Sequence, residues 1–444
     1  TGGYSLLTIS GLLKKESYYI LYLLRQLYEK VILYKTIATN IFGYNWNVVC
    51  EGFKGENKKI KDMLLNKLRK YEESNKNHGR FGVKDVIDTK DFLTERGTPI
   101  HAGRQPVADA KCVQLMREAG AVLLGKLVST EYAMFTPNET RHPLDLTRTA
   151  GGSSSGTGAA VADNMVPLAF GNQTAGSLIR PAAYCGVYGL KPTHGTTDGA
   201  GILPLQLYFD TLGYMARSVE DLQSFYSIVS QDQQRQVWSE KKRPKIGLCR
   251  TFHWSSAEKD SQAMLLKTGE QFEQLGYEVT SFELPESYSN LVAVHRRILY
   301  KGISDSLAKD YESSAGKMSE GLLEVVREGQ KCTEEAFMTA FRIADACRTE
   351  VNEMFGDLDA IICPSTPSEA PEGWGTGSPI FQVMLTLLGV PCLNLPVGFG
   401  PNQMPLGVQL IGRRYDDANL LALGDYLMRN FKSIQIESFS NAKS

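Results

Sequence analysis

Two loops rich in serine and glycine carry the residue types best suited to nucleophilic chemistry. The first loop, residues 151–158, reads GGSSSGTG, and the second, residues 171–177, reads GNQTAGS. A serine hydroxyl is a weak nucleophile until a neighbouring group accepts its proton. A serine of either loop could therefore act as a nucleophile only with a base close by.

From the residues alone, three interpretations of the first loop are open. A phosphate-binding loop of the Walker type would need a lysine directly after the glycines, and none is present. The run 152–156 matches the nucleophile-elbow pattern G-x-S-x-G, which would make Ser154 the nucleophile of an α/β-hydrolase-type esterase. That pattern needs a preceding strand and a downstream histidine, whereas residues 143–150 are a poor strand and His194, His253 and His295 lie in no distinctive loop. The third interpretation is a helix cap without chemistry, since serine and glycine favour such positions.

Metal chemistry has no local motif in this chain. The eight cysteines and six histidines are scattered, without a C-x-x-C pair or a cluster at zinc-ligand spacing. We therefore expect no metal and no cofactor. The scattered cysteines indicate reduced, mostly buried thiols, as is typical of a cytoplasmic protein.

Beyond the two loops, a series of motifs resembles the amidase signature family, serine hydrolases with a Ser–cis-Ser–Lys triad. The resemblance begins with the run GGSSSGTGAAVADNMVPLAFGNQTAGSLIRPAAYCGVYGLKPTHG. Upstream of it, GVKD (82–85) and GTP (97–99) resemble the lysine-bearing loop of the family. Downstream, the order of motifs is also that of the family: DTLGYMARSVEDL (210–222), DAIICPSTP (359–367), LPVGF (395–399) and PLGVQLIGRRYDD (405–417). Residues 1–75 match poorly.

The resemblance implies a role for each triad residue. Ser177 would be the nucleophile, Ser153 the cis-serine that relays the proton, and Lys84 the base. The implied oxyanion hole is formed by the backbone around Thr174, Ala175, Gly176 and Ser177. A lysine can accept a proton only as the neutral amine, which requires burial or nearby positive charge to lower its pKa from about 10.4. Because this triad needs no histidine, we expect that replacing His194, His253 or His295 leaves most of the activity.

Other polar residues of the signature region are expected to be structural. Ser154 and Ser155 would orient their loop by hydrogen bonds. Arg180, which precedes a proline, would form an ion pair or hold a loop, and Lys191 lies beside a strand end.

The implied reaction is hydrolysis of a C–N bond through an acyl-enzyme. The N-Q-T-A-G-S loop resembles small-amide amidases and allophanate hydrolases more than the D-T-G-G-S form usual in the glutaminase subunit of tRNA-dependent amidotransferases. Small amides and urethane-like carbamates are thus the leading substrates. The alternatives are an allophanate hydrolase and the glutaminase subunit. The residues considered for the substrate pocket, each of which could equally be part of the core, are Tyr132, Met134, Phe135 and Trp374.

The pattern of apolar residues around these motifs indicates an α/β fold. Short apolar runs separated by Gly and Pro alternate with helical patterns from residue 81 onwards, as in a central mixed β-sheet flanked by helices. We expect a single large domain over 76–444, with its signature core at 81–221. Residues 1–75 contain two helical patterns, at 18–31 and 60–68, and are predicted to form a helical segment packed on that core.

The composition and net charge of the chain limit the kinds of partner that it can bind. Of the 444 residues, 42% are hydrophobic and 22% are charged, as in an ordinary folded protein. A formal net charge of −1 gives no basic field for nucleic acid or anionic lipid. The apolar run 17–24 is far shorter than the roughly 20 residues of a membrane-spanning helix. We therefore expect a small-molecule substrate, no nucleic acid and no membrane partner, while a homodimer stays open.

Overall fold

The computed structural model describes residues 79–230, 236–239 and 242–441, together with three strands in the first 53 residues. For those three strands and for residues 432–441 only the backbone is described. The chain divides into two compact units, Thr1–Gly79 and Arg80–Ser444.

The first unit contains a three-stranded antiparallel sheet. Its strands are β1 (Ser5–Ser10), β2 (Tyr28–Tyr34) and β3 (Asn45–Phe53), in the order β1-β3-β2. The predicted helix over 18–31 is wrong at its end, because Val31 lies in β2; the sequence YEKVILY is rich in β-branched and aromatic residues, which favour strands. Residues 18–27 and the second predicted helix, 60–68, lie outside the described residues. The packing of 1–75 on the core stays a prediction.

The second unit is built on a ten-stranded mixed sheet, which confirms the predicted α/β class. Its order is β10-β9-β11-β13-β12-β7-β8-β6-β4-β5. The strands are β4 (Arg80–Lys84), β5 (Val122–Leu127), β6 (Leu168–Gln173), β7 (Tyr188–Lys191), β8 (Thr211–Ala216), β9 (Lys245–Cys249), β10 (Glu278–Phe282), β11 (Ala360–Pro364), β12 (Cys392–Phe399) and β13 (Pro405–Ile411).

Helices flank this sheet. They are α1 (Lys111–Glu118), α2 (Ser155–Ala162), α3 (Ile179–Tyr184), α4 (Val219–Val229), α5 (Lys259–Gln274), α6 (Leu291–Ser306), α7 (Ala308–Ser314), α8 (Glu320–Gln330), α9 (Glu334–Glu350), α10 (Val383–Leu388) and α11 (Asp417–Asn441). Every residue of β8, β11 and β13 is buried, whereas the edge strand β10 is largely exposed. The central strands are therefore covered on both faces, as expected for a mixed sheet flanked by helices.

The sheet topology brings Lys84 and the loop 171–177 to the same edge of the sheet, the edge formed by the carboxyl ends of β4 and β6. β4 and β6 are parallel neighbours, with Val83 opposite Phe170, so Lys84 and the end of β6 emerge on the same side. β6 and β8 are antiparallel, with Gln173 opposite Thr211, so the residue before β8, Asp210, lies at that edge as well.

The state of the cysteines and the character of the helices are known for the described residues only. The cysteines whose side chains are described are free, and all but Cys332 are buried. In that part of the chain, no helix combines the length and apolar character needed to cross a bilayer.

Candidate active site

Lys84, the last residue of β4, is fully buried and reaches two polar partners. Its Nζ donates to Oδ1 of Asn172 at 2.7 Å and is hydrogen-bonded to Oγ of Ser153 at 2.6 Å. Burial lowers the pKa of Lys84 well below its usual value, and the positive charge of Arg180 lowers it further, while Asp210 opposes both effects. The geometry thus presents an amine that can be neutral, with a lone pair available to the Ser153 hydroxyl.

The loop 151–158, called the Ser153 loop from here on, is held by Arg180. The Gly152–Ser153 peptide bond is cis. Arg180 donates to the Gly152 carbonyl from Nη2 at 2.6 Å and from Nε at 3.2 Å, and to the Gly377 carbonyl from Nη1 at 2.7 Å. Within the described residues the buried Arg180 forms no ion pair. Of the two structural roles expected for Arg180, holding a loop is therefore the one observed.

Ser154 and Ser155 tie this loop to its neighbours. The Ser154 N–H donates to the carbonyl of Ser177 at 3.2 Å, and its hydroxyl donates to the carbonyl of Asn172 at 3.3 Å. The Ser155 hydroxyl donates to the carbonyl of Val128 at 3.4 Å. These contacts agree with the predicted orienting role.

The nucleophile-elbow interpretation of Ser154 finds no support. No strand leads directly into Ser154, since residues 150–154 are not in a strand, and no histidine of the described residues is hydrogen-bonded to it. Four histidines contact other groups: His101 the carboxylate of Asp310, His142 the carbonyl of Tyr184, His194 the carbonyl of Leu207, and His295 the carbonyl of Thr174.

Ser177 lies in the turn between β6 and α3 and is largely buried. Its carbonyl accepts the N–H of Ser154, so the two serine loops are in direct contact. Its hydroxyl makes no hydrogen bond to any described residue. Such contacts are often long in the absence of substrate.

All four carbonyls of residues 174–177 are held by donors. The donors are His295 Nε2 to Thr174 (2.8 Å), Thr386 Oγ1 to Ala175 (2.7 Å), Arg180 N to Gly176 (3.1 Å) and Ser154 N to Ser177 (3.2 Å). In a trans peptide, the C=O of one residue and the N–H of the next point in opposite directions. The N–H groups of 175–177 are therefore turned away from these donors, and they donate to no described residue. Free, fixed N–H groups are what an oxyanion requires.

Gln173 helps to orient one of those donors. Its Oε1 accepts the N–H groups of Leu178 at 2.9 Å and Ile179 at 3.0 Å, and its Nε2 donates to Oγ1 of Thr386 at 2.9 Å. Because the Thr386 oxygen receives this hydrogen bond, its own hydrogen is directed to the carbonyl of Ala175. A carboxylate at position 173 could accept but could not donate.

Thr174 is also held through its side chain. Its hydroxyl donates to Oδ1 of Asp210 at 2.7 Å, and the N–H groups of Leu205 and Gln206 donate to Oδ2 at 2.7 and 2.8 Å. Burial raises the pKa of Asp210 to about 6.

The four residues predicted for the substrate pocket lie in two segments that approach the Ser153 loop. Thr130, at the start of the first segment, donates its N–H to the carbonyl of Ser153 at 3.3 Å. In the second segment, Thr376 lies beside Gly152. Tyr132 is buried and donates to Asp310 at 2.8 Å, and Met134 is buried, whereas Phe135 is 43% exposed. Trp374 is 54% exposed, with the Arg141 guanidinium 3.1 Å from its ring centroid. Among the described residues no hydrogen bond joins these side chains to Ser153 or Ser177, so their binding role stays a prediction.

A cavity of about 700 Å³ is lined in part by the residue that follows the base, but by neither serine of the triad. Asp85, Lys126 and Ser129 are among its lining residues, and Ser153 and Ser177 are not. We do not assign the substrate to it.

Sequence reasoning missed several residues of this site: Asn172, Asp210, His295 and Thr386. Asn172 and Asp210 had a usable signal, since each is a polar residue at a strand end next to a signature motif. His295 and Thr386 had none, because each reaches the loop from a helix more than a hundred positions away.

Comparison with known proteins gives consistent matches. Residues 80–421 match the family described as Amidase. The chain is 30% identical over 404 residues to a glutamyl-tRNA(Gln) amidotransferase subunit of Roseiflexus castenholzii, covering 78% of this chain and 81% of that protein. A crystal structure of an amidase superposes with a TM-score of 0.74 at 26% identity, covering 84% of this chain and 90% of that one. The glutamyl-tRNA(Gln) amidotransferase subunit from Thermotoga maritima gives a TM-score of 0.67 at 27% identity, covering 78% and 81%.

Proposed function

The chain belongs to the amidase family of C–N hydrolases, and on that basis we propose that it hydrolyses small amides or carbamates through an acyl-enzyme on Ser177. The observation that carries this proposal is the 2.6 Å contact between Lys84 Nζ and Ser153 Oγ in a fully buried position. A buried amine of lowered pKa next to a hydroxyl is a proton acceptor rather than a surface charge.

In the proposed reaction, the oxygen of Ser177 attacks the substrate carbonyl carbon while its proton passes to Ser153, whose own proton passes to Lys84. The N–H groups of residues 175–177 stabilise the negative oxygen that forms. The C–N bond then breaks, and the proton returns through Ser153 to the departing nitrogen. Water attacks the acyl-enzyme by the same relay and releases the acid and free Ser177.

The surroundings of the loops support a compact substrate. A Cβ at Gly152 would lie 2.7 Å from Cγ2 of Thr376, and one at Gly176 would lie 2.7 Å from Cβ of Pro379. Thr376 and Pro379 therefore pack closely against the two loops, and we expect them to restrict the size of the substrate. Carbamates stay in the proposal because backbone donors stabilise an oxyanion whatever its other substituents.

Two alternatives within the family remain, an allophanate hydrolase and a glutaminase subunit. The 30% identity to glutamyl-tRNA(Gln) amidotransferase subunits favours the second. Against it, Gln173 occupies the position where the D-T-G-G-S form has a carboxylate, and its amide donates to Thr386. Such a donation would not be available to aspartate.

A hydrolysis screen separates these functions. Acetamide, benzamide, ethyl carbamate, allophanate and glutamine are incubated with the wild-type enzyme, together with a series of aliphatic amides that ends with a long-chain fatty amide. Ser177→Ala is the control, and ammonia release is measured. We expect kcat/KM to fall as the acyl chain lengthens beyond a few carbons, with detectable turnover of ethyl carbamate. Glutamine or long-chain fatty amides proving far better than every short amide and carbamate would contradict the substrate class.

A further inference from the structure

His295 lies behind the 174–177 loop and makes a single directed contact with it. It is buried on α6, and its ring stacks on Phe209 with centroids 4.4 Å apart and an angle of 24°. Its Nε2 lies 2.8 Å from the carbonyl oxygen of Thr174. A carbonyl oxygen can only accept, so Nε2 must carry the hydrogen. Burial lowers the pKa of His295 to about 4, so the ring is neutral at pH 7.

This contact determines the direction of a peptide group in the loop. The Thr174 carbonyl and the Ala175 N–H belong to one planar trans peptide, so holding the carbonyl towards His295 turns the N–H the opposite way. The Thr174 hydroxyl is held separately by Asp210, the residue after Phe209. The peptide therefore cannot rotate without breaking a buried hydrogen bond, which is costly.

We propose that His295 is a positioning residue that fixes the Ala175 N–H as an oxyanion donor through its hydrogen bond to the Thr174 carbonyl. This inference rests on the proposed function, in which that N–H stabilises the reacting oxygen. His295 contacts neither Lys84, Ser153 nor Ser177 by hydrogen bonds, so it acts through Thr174 and not as an acid or base. The expectation that all three downstream histidines are dispensable is thereby revised for His295.

Three variants test the role by turnover. His295→Phe keeps an aromatic ring against Phe209 but lacks the donor, and we expect kcat to fall about tenfold to a hundredfold with little change in KM. His295→Gln, whose amide nitrogen can reach the same carbonyl, should recover most of kcat. The matched control is His194→Phe, because His194 also donates from Nε2 to a carbonyl, that of Leu207 at 2.9 Å, outside the loop. It should retain the wild-type kcat.

A second readout does not depend on knowing the substrate. The rate at which a fluorophosphonate modifies Ser177 also depends on oxyanion donors, since the phosphonyl oxygen develops negative charge. We expect this rate to fall in His295→Phe by about the same factor as kcat and to recover in His295→Gln. If Ser177 of the wild-type enzyme is labelled but none of the amides and carbamates tested is hydrolysed, the proposed function is refuted. The labelling rates of the variants would still decide the role of His295.

Three results would overturn the inference: wild-type kcat and labelling in His295→Phe, an equal loss in His194→Phe, or a change confined to KM. Thermal unfolding shows whether each variant is folded. If His295→Phe is not, His295→Gln is compared with His295→Asn, whose shorter amide does not reach Thr174. Equal labelling rates in those two variants would also refute the role.

Discussion

Gln173 and Thr386 are hydrogen-bonded through Nε2 and Oγ1 at 2.9 Å, although 213 positions separate them in the chain. The Thr386 hydroxyl in turn donates to the carbonyl of Ala175 at 2.7 Å. Gln173, at the end of β6, thus orients the loop that follows β6 through Thr386 of α10. The pair explains why a neutral amide stands at position 173, since both its donor and its acceptor are used.

The first prediction concerns this pair. Gln173→Glu can still accept the N–H groups of Leu178 and Ile179, but it draws the Thr386 hydrogen away from Ala175. We expect kcat to fall about tenfold, the equivalent of about 1.4 kcal/mol, with KM little changed. Thr386→Val should cause a similar loss, and Thr386→Ser should not. If the free-energy costs of Gln173→Glu and Thr386→Val add in the double variant, the two residues do not act together.

The second prediction is that Ser177 is the residue acylated. A fluorophosphonate should modify Ser177 in the wild-type enzyme, with the adduct located by peptide mass mapping, and should leave Ser177→Ala unmodified. Ser154→Ala should still be labelled, because its hydroxyl donates to the carbonyl of Asn172. An adduct on Ser154 would instead return the elbow interpretation.

The third prediction concerns the base. Lys84→Met keeps an unbranched side chain of similar length but removes the amine. We therefore expect kcat to fall by about 10²–10⁴-fold. Circular dichroism should show that the variant is folded. Wild-type kcat/KM should rise with pH as Lys84 loses its proton. Since burial lowers the pKa of Lys84, this rise should be complete well below about pH 10.4. A folded Lys84→Met enzyme with near-normal kcat would exclude this base.

The fourth prediction follows from the two charges near Lys84. The positive charge of Arg180 lowers the pKa of Lys84 and the negative charge of Asp210 raises it. Arg180→Gln should therefore move the acid limb of kcat/KM to higher pH, and Asp210→Asn should move it to lower pH. Both variants will lose some kcat, because each residue also holds a loop. The position of the limb, measured from pH 5 to 10, is the test, and shifts in the same direction would contradict the assignment.

The fifth prediction is that the activity survives metal removal. In the proposed reaction the Lys84 amine accepts the proton of the nucleophile, so no metal-bound water is needed. Among the described residues, no three His, Cys, Asp or Glu side chains form a group that could hold a metal ion. Overnight dialysis against EDTA followed by assay should leave kcat unchanged. A loss restored specifically by Zn²⁺ would count against the Ser–Ser–Lys scheme.

Local sequence was sufficient for much of the fold of the second unit. Apolar period and length predict a strand at Lys245–Cys249, a helix at about 258–275 and a strand at Tyr277–Phe282, and the structure contains all three as β9, α5 and β10. The same reasoning was wrong at Val31, because a short apolar segment satisfies helical and strand spacing equally well.

Ordered motifs along the chain were enough to identify the family, and Lys84, Ser153 and Ser177 could be predicted as site residues because each lies inside such a motif. Only the tertiary structure showed that Lys84 is buried against Asn172, that Thr386 and His295 hold the carbonyls of Ala175 and Thr174, and that Arg180 holds Gly152 without an ion pair among the described residues. The physical reason is that these contacts join distant segments through a sheet whose strand order is not the chain order. The pKa of Lys84 depends on burial and neighbouring charges, which exist only once those segments have come together.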